Sequence, residues 1–114
     1  MRYPKDGKLL RIFLGETVQH KGVPLHEWIV KKARKEGLAG ATVLRGILGY
    51  GANSTIHTTK ILRLSEDLPV VVEIVDTADK IEAFLDTIDE VITEGMATVQ
   101  NAQIVFYRSN AKKM

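Results

Sequence analysis

The 114-residue chain contains no cysteine, which removes disulfide frameworks, thiol nucleophiles and thiolate metal sites. It also lacks any run of about eighteen apolar residues, the length a membrane-spanning helix needs, and its first residues, MRYPKDGK, carry no apolar stretch of the kind a secretion signal has. A cytoplasmic protein with no membrane insertion is expected. Charge of one sign is scarce too. The 16 Lys and Arg against 14 Asp and Glu leave a formal charge of +2, far from the footprint of a dedicated nucleic-acid binder. What is present is ordinary for a folded chain: 45% hydrophobic and 26% charged residues are too apolar a mixture for intrinsic disorder. The length predicts one domain over residues 1–114 with a real core.

The apolar run KLLRIFLG predicts a first strand over Lys8 to Gly15, followed by a connecting loop, ETVQHKGV. Pro24 stands where a first helical residue would, and Leu25, Trp28, Ile29 and Ala33 then share one face of an amphipathic helix that Gly37 ends. Ala41 to Leu48 reads as a second strand and Thr58 to Leu64 as a third. Pro69 opens VVVEIVD, a β-branched run expected to be the most buried strand. Ile81, Phe84, Leu85, Ile88, Val91 and Ile92 keep helical spacing, with Asp76 or Thr77 as cap and Gly95 as the left-handed residue past the helix end. AQIVFYR, Ala102 to Arg108, reads as the last strand.

That order matches the split βαβ, ferredoxin-like arrangement of an α+β fold, an antiparallel sheet with two helices on one face. The other face would then be bare. Val71 and Val75 alternate with Val70, Val72 and Ile74, and Leu9 and Phe13 with Leu10, Ile12 and Leu14, so both faces look apolar. An uncovered apolar face is unfavourable by about 25 cal/mol per Å², and a homo-oligomer is expected.

The centre of the chain, RGILGYGANSTIHT, places three glycines before a polar turn and a histidine. Gly49 and Gly51 beside Tyr50 permit positive φ and close approach of backbone N–H groups to an anion; a bulged hairpin uses glycine in the same way with no ligand. Tyr50 can stack on a base or simply pack. His20, His26 and His57 are not spaced as a metal pair. The run Lys31, Lys32, Arg34, Lys35 reads as a solvated helix face. Glu66 and Asp67 lie adjacent in a turn without a nucleophile or base to complete an acid-base site, so no catalytic group is assigned and an enzyme is not expected.

GLAGATVLRGILGYG, IHTTKILRLSEDLPVVVEIVD and EAFLDTIDEVITEG together resemble the domain-of-unknown-function family 190, whose members are similar to the nitrogen-regulatory PII signalling proteins. The resemblance implies a PII-like, ferredoxin-like homotrimer that binds ADP or ATP in clefts between subunits and regulates a target protein. It requires no cofactor. In PII proteins a glycine-aromatic-glycine element forms the base of a mobile loop and part of the nucleotide site; Gly49, Tyr50 and Gly51 match it, and the LP before VVVEIVD and Gly95 match in place. On this resemblance the nucleotide-binding residues are Gly49, Tyr50, Gly51 and Gly95; His57, beside the glycine stretch, is placed to hydrogen-bond a phosphate or ribose, with Gln103 and Arg108 making polar and phosphate contacts across the cleft. The chain departs from the PII pattern in two places. EGMATVQNAQIVF has Ala97 and Gln103 near the positions of the phosphate-holding glycines and lysine, and the segment from Ala52 to His57 is short where PII proteins carry a long modifiable loop. Two other readings stay open: an interaction module with no small ligand, and a metal-responsive protein like the similarly folded CutA proteins, which needs the histidines to converge.

Overall fold

The computed structural model describes residues 5–51, 57–58 and 67–110. Along the chain run β1 (Lys5–Gly15), a short pair β2 (Gln19–His20) and β3 (Val23–Pro24), α1 (Leu25–Lys35), β4 (Thr42–Arg45), β5 (Leu48–Gly49), β6 (His57–Thr58), β7 (Pro69–Asp76), α2 (Ala78–Asp89) and β8 (Met96–Ile104). The main sheet has the order β4-β7-β1-β8, and all three pairings are antiparallel. Both helices lie on one face of it. Leu25, Ile29 and Ala33 from α1 and Ile81, Phe84 and Ile88 from α2 close over Leu10, Ile12, Leu14, Val70, Val72 and Ile74 in one buried cluster. This is the ferredoxin-like α+β arrangement that the order of elements implied.

The opposite face shows what the strict period of two does to these strands. Leu44, Val71, Phe13 and Met96 are successive cross-strand partners and form an apolar row across all four strands. The face is not wholly apolar, as the valines and leucines alone implied, because Arg11 and Glu73 stand directly opposite each other between the apolar positions. Arg11 Nε donates to Glu73 Oε2 at 2.9 Å and its Nη1 to Gln100 Oε1 at 2.6 Å. A partly exposed pair of this kind contributes roughly 0.2–1 kcal/mol.

Pro24 is the N-cap of α1 rather than its first helical residue. The helix ends as expected at Gly37, whose φ is +80°. The Gly37 amide donates to Arg34 O at 3.1 Å and the Leu38 amide to Ala33 O at 3.0 Å, the paired bonds of a Schellman motif that only a left-handed residue permits at low strain. The loop read between β1 and α1 holds a small hairpin, with Lys21 and Gly22 both at positive φ, as a type I′ turn requires.

Three further sequence expectations need correction. The second strand stops at Arg45 rather than Leu48: the Gly46 amide still donates to Pro69 O at 2.7 Å, but Pro69 has no amide to donate in return. The last strand begins at Met96, six residues before Ala102, and ends at Ile104 rather than Arg108; as an edge strand with no buried residue it needs no apolar alternation, and ATVQNAQ conceals it. Thr77 occupies the N-cap of α2 without a side-chain cap bond. Asp76 instead joins two segments: its Oδ1 accepts from the Thr77 amide at 2.7 Å and its Oδ2 from the Ala39 amide at 2.9 Å. Of the third strand expected over Thr58 to Leu64, only Thr58 lies among the described residues, in β6 opposite Leu48.

Asp76→Ala leaves the Ala39 amide without its acceptor in a partly buried setting, and it is expected to lower unfolding free energy by about 1–3 kcal/mol. Asp76→Asn, which keeps one acceptor oxygen, should lose less. Urea denaturation followed by circular dichroism measures both.

Candidate functional site

The end of β1 meets the starts of two other strands. Both β7 and β8 run antiparallel to it, so Gly15 stands opposite Pro69 and Phe13 opposite Met96. A cleft of about 460 Å³ opens there, with Tyr50 and Gly51 on one side and Glu94, Gly95 and Met96 on the other. Phe13, Leu14 and Val70 also line it. The turn after β1 is held by the Asp67 carboxylate, whose Oδ1 accepts from the Thr17 amide at 2.8 Å, and by the Glu16 amide, which donates to Leu68 O at 2.8 Å. Among the described residues, the charged side chains lining this cleft are Asp67 and Glu94, both acids.

Gly95 is there for close approach. Helix α2 ends at Asp89, so Gly95 lies well beyond its C-cap Glu90 and is not the residue that stops it, as the spacing had implied. Its φ is +144°, and a Cβ would fall 2.7 Å from Phe13 O and 2.9 Å from Leu14 Cδ2. Only a bare backbone fits against β1 at that point. The glycines of the loop base differ. Neither Gly49 nor Gly51 has a positive φ, so the backbone freedom expected of them is not used; a Cβ at Gly49 would meet Pro69 Cγ at 3.2 Å, and at Gly51 it would meet nothing within 4 Å. Tyr50 between them is 68% exposed.

The family model DUF190, described as Uncharacterized ACR, matches residues 7–104. The chain belongs to this family. A UPF0166 protein of Aquifex aeolicus (strain VF5) is 39% identical over 99 residues, covering 87% of this chain and 93% of its own length. The UPF0166 protein MJ1524 of Methanocaldococcus jannaschii is 40% identical over 85 residues, covering 75% and 78%. Among solved structures, CPII, a nitrogen regulatory PII-like protein from Thiomonas intermedia K12 bound to ADP, AMP and bicarbonate, superposes with a TM-score of 0.70 at 17% identity, over 93% of this chain and 94% of that one. A putative PII-like signaling protein from Thermus thermophilus gives 0.65 at 17% identity, over 90% and 93%. These likenesses establish that the DUF190 chain has the PII-like fold.

Within one DUF190 chain, Tyr50, Gly51 and Gly95 line the same cleft. Gly49 lies beside it, paired with His57 across β5 and β6. Gln103 and Arg108 are elsewhere. Gln103 stands opposite Asp6 near the far end of β8, seven residues from Met96 and hence about 23 Å along an extended strand. Arg108 follows that strand, its guanidinium 4.5 Å from the Phe106 ring centroid. Gln103 instead lines a larger cleft, about 1000 Å³, bounded by residues 37–42, Lys80 and the segment after β8. There Tyr107 donates its hydroxyl to Ala39 O at 2.7 Å, and Lys80 Nζ donates to Gly37 O at 3.1 Å. Sequence reasoning missed this second cleft, because contacts between residues as far apart in the chain as Ala39 and Tyr107 leave no local signal. Among the described residues no three His, Asp or Glu side chains converge as a metal site would; His20 packs edge-on against Trp28 at 4.9 Å.

Gly95→Ala should destabilise the fold by about 1–3 kcal/mol through the disfavoured φ, with a further loss from the clash against β1. Gly51→Ala should leave the thermal midpoint unchanged. Calorimetric melting of the two variants beside the parent separates the roles of the two glycines.

Proposed function

We propose that this DUF190 chain is a PII-like sensor, a single domain acting in the cytoplasm, that binds an adenine nucleotide and is not an enzyme. The observation that carries the reading is the meeting of Tyr50, Gly51 and Gly95 on one cleft. An exposed aromatic ring offers a stacking surface for a base, and backbone amides of glycine-bearing turns offer donors to phosphate or ribose oxygens. The fold shared with CPII, whose structure holds ADP, AMP and bicarbonate, supports the same ligand class. His57, opposite Gly49, belongs to the loop base in this reading.

The site is completed by a second copy. Leu44, 50% exposed, and Met96, 58% exposed, continue the apolar row of the open sheet face to both of its edges, a surface suited to burial between subunits of a trimer. Gln103 and Arg108 of a neighbouring copy would then supply the polar and cationic groups that the acid-lined cleft lacks among its described residues. Nucleotide binding at Tyr50 and Gly51 changes the surface that this loop base presents to a target protein. Such a switch works only through differential affinity of the nucleotide for two states of the loop base.

A second reading, a docking module without a small ligand, is favoured by one observation: the described charges on the cleft, Asp67 and Glu94, repel phosphate. Isothermal titration with ATP, ADP and AMP, with and without magnesium, decides between the two. Saturable binding by the parent and its loss in Gly51→Val, a site open enough to keep the fold, is the expected result. No heat from folded, oligomeric protein with any nucleotide would leave the docking module.

A further inference from the structure

We infer that the helical face of this chain is a contact surface for a second copy of the same face, held by charge rather than by apolar burial. The two helices carry opposite stripes. On α1, Lys31, Arg34 and Lys35 are exposed at helical spacing. On α2, Asp79, Glu82, Asp86 and Asp89 are exposed, with Glu90 just beyond. Among the described residues the ion pairs of α1 come down to Lys32 with Glu36, and none of these α2 acids is in an ion pair.

Each stripe opposes its own helix. Lys31 and Lys35 repel at i,i+4, as do Glu82 and Asp86, and Asp86 and Glu90. The α1 cations near the last turn gain from the helix dipole, which accounts for them locally. The α2 acids do not: Asp89 and Glu90 sit at the negative end of the dipole, and the last turn has no basic residue. The unfavourable charge of α2 is thus uncompensated by its own helix, and it lies in the same layer as an excess of the opposite sign.

A second copy turned by a two-fold axis would lay its α1 stripe on the α2 stripe of the first and receive the reverse contact in return. Such an isologous arrangement compensates both stripes at once. A basic partner would satisfy α2 alone, and an acidic partner α1 alone. The contact leaves the open sheet face free for the trimer proposed above and does not depend on nucleotide.

Sedimentation velocity of the full chain tests this at low and high salt, since the screening length falls from about 30 Å at 0.01 M to about 3 Å at 1 M. The expected result is a species at low salt of at least twice the high-salt mass, since a trimer carries three such faces. Lys31→Glu with Arg34→Glu and Lys35→Glu should hold the lower mass at both, as should Glu82→Lys with Asp86→Lys and Asp89→Lys, and mixing the two variants should restore the larger species. The single change Arg34→Glu, which perturbs the helix least, should lower the salt concentration at which the larger species dissociates. An unchanged mass between the two salts, a larger species that persists in either triple variant with native circular dichroism, a mixture that stays at the lower mass, or an Arg34→Glu profile equal to the parent's would each overturn the proposal.

Discussion

Everything that positions the candidate site follows from β1 being paired along both of its edges. β7 and β8 both run against it, in registers that set Gly15 beside Pro69 and Phe13 beside Met96. Because both neighbours are antiparallel, the segments entering them must arrive together at the end of β1. One of those segments follows the loop base at Tyr50 and Gly51, and the other is the turn at Gly95. A one-residue slip would turn Leu10, Ile12 and Leu14 away from the helices, so the buried cluster holds the register and, through it, the cleft. The opposite end obeys the same constraint. There the end of β7 at Asp76, the end of β8 near Gln103 and the loop from Gly37 converge on the larger cleft, with the Asp76 carboxylate tying that loop to the strand.

The fold was legible where burial imposes a period. Leu10, Ile12 and Leu14 alternate as a half-buried strand must, PVVVEIVD is β7 without change of boundary, and Ile81, Phe84 and Ile88 keep the spacing of the buried face of α2. Legibility failed where burial is absent. β8 has no buried residue, so nothing in MATVQNAQ had to be apolar, and its pairing with β1 comes from hydrogen bonds that any residue can make. The cap of α2 failed for another reason: Asp76 has the chemistry of a cap, but a partner 37 residues away holds its second oxygen.

The candidate site was legible only in part. GYG and Gly95 could be singled out from the sequence, and the structure brings Tyr50, Gly51 and Gly95 to one cleft. The physical reasons assigned to the glycines were less accurate than their positions. Gly95 accommodates a carbonyl of β1 rather than ending a helix, and Gly51 faces open space. That difference matters for function, since a glycine with room around it is free to be approached by a ligand, whereas one pressed on a strand fixes the wall that the ligand meets. The acids Asp67 and Glu94 drew no notice as cleft residues because each is an unremarkable surface residue until β1 brings their turns together.

The central claim is that the pairing of β1 makes this convergence of turns a nucleotide site. Amide chemical shifts of isotopically labelled protein, followed through titration with AMP and with ADP, test it most directly. The account predicts saturable shifts at Gly51, Gly95 and Met96. Saturable binding that leaves those three amides unmoved would contradict it.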